Sequence, residues 1–301
     1  MRRAFTMVEL IMTIVIMGIL AAGAYVSLAK LFAKSARTKA ITELSLESTL
    51  ITNQIAGLLR DRIPSTVIGY DPAGGFESIY TISKTYPIME WISADSDALL
   101  AGMYSGFVDL DRCDRDTDML YSPATDINAT DRALIFAGAY DEGDVAYDAA
   151  EFNASFGWHG NTHTKIYELN ATSSGNDIYL RTRPAVVYEK YSLVRSAYAI
   201  ARYPDIKQDA ACIQSLGLDS VISDKTLFLF YGYRPWKGET FCADPNGTQR
   251  EGNVTILSDE ASGFEADYID GNLQFSLTLE RTIRRPGKDL NITISKQQVV
   301  Y

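Results

Sequence analysis

The densest run of chemistry-bearing residues in this 301-residue chain is VDLDRCDRDTDM, which places Asp109, Asp111, Asp114, Asp116 and Asp118 within ten residues. Hard cations such as calcium take several carboxylate and carbonyl oxygens from a flexible loop, and this loop could offer them. Its spacing is not that of an EF-hand, it lacks the glycine such a loop needs, and Arg112 and Arg115 partly neutralise it. The leading reading is therefore a solvated acidic loop, with Ca2+ the one cofactor the chain offers ligands for. Asp141, Glu142, Asp144 and Asp148 form a second acidic stretch.

His159 and His163 in GWHGNTHTK have a four-residue spacing that would face one metal on a helix, but Gly157 and Gly160 argue against a helix there, which leaves a polar loop. Cys113, Cys212 and Cys242 form no C-x-x-C pair. One disulfide plus a leftover thiol is the simplest reading. Cys212 and Cys242 share a segment closed by turns at Gly217, Gly232 and Gly238, so they are the favoured pair. The alternative is three reduced thiols in a cytoplasmic protein. No nucleophile-elbow, phosphate-loop or zinc-protease motif is present, and nothing nominates catalysis.

One more carboxylate stands apart. Phe5 to Ala29, FTMVELIMTIVIMGILAAGAYVSLA, is almost wholly apolar. As a helix rising about 1.5 Å per residue it is long enough to cross a hydrocarbon core of about 30 Å. Glu9 lies inside that run. An unpaired carboxylate in lipid costs about 2.5 kcal/mol or more, so such a residue needs a partner. Before the run stands MRRA, a short basic head ending in a small residue.

Together, AFTMVELIMTIVIMGIL resembles the N-terminal signature of type IV prepilins: a small residue, Phe-Thr, two apolar residues, Glu, then a long apolar stretch. The resemblance implies that a membrane-embedded prepilin peptidase cuts between Ala4 and Phe5 and methylates the new amino group. It also implies that Glu9 pairs with the N-terminal amine of a neighbouring subunit during filament assembly. Two opposite charges in a low dielectric neutralise each other and fix the register of adjacent helices. The chain departs from the pattern at Ala4, where the family usually has glycine, and at Val26, where many major pilins have a kinking proline. The alternative is a conventional secretory signal cut near Ala22 or Ala24.

Arg2 and Arg3 precede the run, while Lys30, Lys34, Arg37 and Lys39 follow it. The positive-inside rule by itself favours the opposite topology. The resemblance and the expected disulfide place the C-terminal part in the periplasm, anchored by a single pass in a bacterial inner membrane.

These residues must be positioned by an α+β, pilin-like fold: a long N-terminal α-helix packed on an antiparallel β-sheet head. Residues 1–4 are a leader, 5–29 the transmembrane helix, 30–63 its amphipathic continuation and 64–301 the β-rich head. Ile41, Leu44, Ile51, Ile55 and Leu58 keep helical spacing, and no proline occurs before Pro64. A dimeric coiled coil is the alternative use of that stripe.

In the head, Leu273, Phe275, Leu277 and Leu279 alternate with polar residues as a half-buried strand does. Asp270-Gly271 suggests a hairpin to a strand at Phe264 to Tyr268. Pro286-Gly287 suggests a second hairpin, leading to Leu290, Ile292 and Ile294. Further strands are expected at Ala133 to Ala137, Ala185 to Ile200 (one strand or two), Thr226 to Tyr233 and Val254 to Leu257. The final meander resembles the C-terminal sheet of pseudopilins of the J or W type, with 65–180 as a possible inserted subdomain. The 18 tyrosines read as sheet packing, with an adhesive surface as the alternative.

The net charge of −10 makes the bulk surface repel nucleic acid. The expected function is a minor pilin-like structural subunit of a type II secretion pseudopilus. Its implied partners are prepilin peptidase, other pilin or pseudopilin subunits, an inner-membrane assembly platform and membrane lipid. One rival is a minor pilin of a surface type IV pilus serving adhesion, motility or DNA uptake. Another is a membrane-tethered periplasmic binding protein or enzyme.

Overall fold

The computed structural model describes residues 6–81, 85–114, 116, 118–127, 131–138, 149–206, 222–241, 249–250, 252–269, 272–284 and 289–300. Ala4, Phe5, Cys212, Cys242 and the acidic stretch from Asp141 to Asp148 lie outside these residues.

Helix α1 spans Met7–Leu59 without interruption. Its N-terminal part is built from Leu, Ile, Met and Ala with no proline, and from Met7 to Phe32 every large apolar side chain is exposed. Burial begins at Ala40 and recurs at Leu44, Ser48, Ile51, Thr52, Ile55 and Leu59, a stripe on one face of the helix. The helix stops where Arg62 donates from its guanidinium to the Leu59 carbonyl at 2.8 Å and Pro64 forbids another turn.

The remaining elements, in chain order, are β1 (Ile68–Asp71), β2 (Gly75–Ser78), β3 (Ile88–Ala94), α2 (Ser96–Leu100), β4 (Met119–Tyr121) and β5 (Ala133–Phe136). They continue with α3 (Ala149–Asn153), β6 (Ile166–Glu168), β7 (Asp177–Tyr179), β8 (Tyr191–Arg202) and β9 (Leu227–Tyr233). The last are β10 (Glu239–Thr240), β11 (Gln249–Arg250), β12 (Asn253–Ser258), β13 (Ala261–Ile269), β14 (Asn272–Ile283) and β15 (Leu290–Val300).

The chain forms two compact units. One joins residues up to 47 with 280–294, and the other joins 48–279 with 295–301. Within the first, Arg281 of β14 reaches Glu43 at 2.7 Å and Glu47 at 3.6 Å on α1. Within the second, Lys296 of β15 donates to the Thr49 hydroxyl at 3.0 Å.

The second unit is organised by an antiparallel sheet in the order β12-β9-β8-β3-β1-β2, with β5 joining β8 and β6 joining β5. Strand β8 is its centre. Its Ala197, Ala199 and Ala201 are fully buried, small enough to leave room for the aromatic side chains of β9 such as Phe228 and Phe230. A three-stranded sheet, β13-β14-β15, carries the alternation expected from the sequence: Leu273, Phe275, Leu277 and Leu279 are all buried. Each contributes roughly 2 kcal/mol. The register pairs Ile269 with Asn272, bracketing the Asp270-Gly271 step.

Within the 65–180 stretch, β1, β2, β3 and β5 share one sheet with β8, β9 and β12, while β4 and β7 pair in a sheet of their own. Of the stretch from Ala185 to Ile200, read as one strand or two, β8 takes Tyr191 onward. Residues 185–188 approach the acidic loop, and Val186 and Val187 line a cleft with Leu110 and Cys113.

Candidate functional site

Two groups of residues combine chemistry with placement: the start of α1, and a buried carboxylate in the head.

At the start of α1, the Thr6 backbone N–H and hydroxyl both donate to Glu9 Oε2, at 3.0 and 2.9 Å, and the Glu9 N–H donates back to the Thr6 hydroxyl at 3.3 Å. The Thr13 hydroxyl bonds the Glu9 carbonyl. T-x-x-E is a capping box: each side chain satisfies a backbone N–H of the first turn that has no helical acceptor. Both donors to the carboxylate are neutral and both bond one oxygen, so its charge is oriented but not cancelled. Oε1 accepts nothing among the described residues, and Glu9 is exposed, ready for a cation from outside the chain. The sequence reading assigned Glu9 to a neighbour's amine and missed the capping box, which the three-residue spacing from Thr6 already signals.

In the head, Glu90 of β3 is 1% exposed. His159 Nε2 lies 2.8 Å from its Oε1, and the Tyr233 hydroxyl donates to its Oε2 at 2.7 Å. The imidazole stacks on Tyr70 at 3.9 Å between ring centroids. It is held there by a tight turn in which Gly157, His159 and Gly160 all have positive φ. Gly157 is required twice over: φ is +81°, and a Cβ would lie 2.7 Å from the Pro235 carbonyl oxygen. Burial, reinforced by the Glu90 carboxylate, pushes the Tyr233 hydroxyl well above its ordinary pKa, so it stays protonated and donates. Each oxygen of the Glu90 carboxyl group thus has a hydrogen-bond partner, as a buried polar group must. Glu90 and Tyr233 are both sealed from solvent, so this cluster braces strands β3 and β9 against the turn at 157–160.

His159 and His163 do not act together. His163 Nδ1 sits 3.4 Å from the Ile166 carbonyl, while His159 faces Glu90. In the acidic loop, Asp109 accepts from the Asp111 N–H at 3.2 Å, Asp114 accepts from the Asp116 N–H at 2.9 Å, and Asp118 lies 3.7 Å from Arg183. Among the described residues, no group of three or more His, Cys, Asp or Glu side chains stands close enough to hold a metal. The Cys113 thiol donates to the Asp109 carbonyl at 3.1 Å, and burial pushes its pKa up.

The N-terminal geometry therefore offers an oriented, uncompensated carboxylate on an exposed apolar helix. A family model described as the prokaryotic N-terminal methylation motif matches residues 1–25. This is a type IV prepilin-like N-terminus. The motif spans Ala4, Phe5 and Glu9, and it implies processing by a prepilin peptidase and assembly with other pilins. The prepilin-type helix is also the one described segment long and apolar enough to cross a membrane. No curated protein and no solved structure matches the chain.

Proposed function

We propose that the chain is a minor pilin-like structural subunit of a type II secretion pseudopilus. It is cleaved before Phe5, held in the inner membrane by the first half of α1, and carries its β-rich head in the periplasm. The role is structural: the chemistry of the N-terminal site is charge pairing between subunits. The observation that carries this reading is Glu9. It is braced by Thr6 but left charged at the top of a continuous 53-residue helix whose first half is exposed and apolar. A lone carboxylate in that setting is stabilised by a cation brought to it inside the membrane, and the freed amine of a neighbour is such a cation.

The test is to express the chain with and without a prepilin peptidase and determine the mature N-terminus by peptide mass spectrometry. A product beginning at N-methylated Phe5, together with a Glu9→Val variant that stays in the membrane but no longer cross-links to neighbouring subunits, is the expected result. An uncleaved chain, one cut near Ala24, or a Glu9→Val variant that assembles normally would overturn it and leave a tethered or secreted protein. Cleavage and assembly with a retraction ATPase in place of secretion partners would move the subunit to a surface pilus.

A further inference from the structure

The acidic loop borders an apolar surface. Outside α1, the large apolar side chains that stay exposed are concentrated at Leu99 (44%), Leu100 (85%), Met103 (37%), Phe107 (51%), Leu110 (44%) and Val186 (56%). Leu99 packs beside Gly106, Phe107 pairs with Lys190 across an isolated bridge, and Leu110 and Val186 line one cleft of about 290 Å³. A concentration of this kind on a folded head marks an interaction surface.

Its rim is negative: Asp97, Asp111, Asp114, Asp116 and Glu189 are exposed. The described cations of the same surface are engaged, with Arg112 over the Tyr121 ring at 3.5 Å, Lys190 over the Phe107 ring at 5.9 Å, and Arg183 at 3.7 Å from Asp118. The complementary surface is on the same chain. From residue 10 to residue 42 there is no carboxylate, and Lys30, Lys34 and Arg37 fall on one face of α1, flanked by exposed Leu31 (63%). That face continues the stripe that is buried from Ala40 onward.

We propose that the apolar surface with its acidic rim docks the basic stretch at residues 30–39 of the α1 helix of a second copy of this chain. Apolar contact supplies the adhesion, and the opposed charges set the orientation. The two surfaces differ, so the contact is heterologous, the class of contact from which open filaments are built. This inference rests on the assembly reading above.

The test uses the full chain in inner-membrane vesicles with prepilin peptidase, carrying a benzophenone amino acid at Val186 in one sample and at Ile16 in the membrane helix in another. The expected result is a Val186 photo-adduct of twice the chain mass that maps to residues 30–39. It should fall about fivefold in an Asp111→Lys/Asp116→Lys variant and recover when the second copy carries Lys34→Glu and Arg37→Glu. Adducts from Ile16 without any from Val186, or Val186 adducts to lipid or elsewhere, would overturn the docking surface and leave the assembly reading intact. Absence of both adducts would overturn the two together.

Discussion

Replacing His159 with asparagine removes the imidazole from Glu90 without adding backbone strain, because asparagine tolerates the left-handed conformation (φ 51°) held there. The Glu90 carboxylate is 1% exposed and keeps only the Tyr233 hydroxyl at 2.7 Å. Leaving a buried carboxylate oxygen without its hydrogen-bond partner costs about 3 kcal/mol, and the lost stacking on Tyr70 adds ~0.5–1 kcal/mol. A total of about 4 kcal/mol is expected. Glu90→Leu should cost less, ~1–2 kcal/mol, because it removes the charge itself and leaves Tyr233 a second acceptor, the Tyr198 carbonyl at 3.1 Å. In the Glu90→Leu background His159→Asn should then cost only ~1 kcal/mol, a coupling of about 3 kcal/mol. Urea unfolding of the full chain in detergent, followed by tryptophan emission, reads this directly, since Trp91, Trp158 and Trp236 are all 2% exposed or less. If His159→Asn costs under about 1 kcal/mol, or costs the same in both backgrounds, the imidazole does not hold the carboxylate and the reasoning fails.

Gly157→Ala should destabilise the head by about 2–3 kcal/mol, since the new methyl meets the Pro235 carbonyl at 2.7 Å on a left-handed backbone; an unchanged urea midpoint would count against the turn geometry. Arg234→Ala leaves Glu239, which is largely buried, without its guanidinium at 2.7 Å, and should cost about 3 kcal/mol by the same assay. Thr6→Val removes half of the capping box and should loosen the first turn by about 1 kcal/mol, read as faster amide exchange at residues 7–9 in micelles. Burial raises the pKa of Tyr233, Tyr191, Tyr167 and Tyr198, and pushes that of Tyr104 up to about 12. The unfolded chain releases these protons near pH 10 while the folded head keeps them, so stability should be complete below that pH and decline as pH rises above it. A head whose unfolding midpoint is flat from pH 9 to about 12 would contradict those burials.

Much of this protein was legible in one dimension. The apolar run with Glu9 at its fifth position, and the absence of proline before Pro64, determined a single long helix and the membrane-borne role of its first half. The alternation at Leu273–Leu279 determined β14, with its hairpin partner beside it. Such elements are visible because a helix or strand imposes its own short period on the residues that must face the core. The T-x-x-E box lay in the same window and was equally readable.

The head's central features were not. Glu90 meets His159 across 69 residues and Tyr233 across 143. Nothing local pairs them; the one trace is a lone charge inside the apolar strand IMEWISA. Gly157 and Gly160 already argued for a polar loop at His159 and His163, but only the folded turn aims the first ring inward at Glu90. Likewise no local signal orders the sheet, in which β3 runs between β8 and β1. Long-range strand order and the meeting of buried polar groups are decided by which surfaces exclude water together. That selection is made only when the whole chain packs.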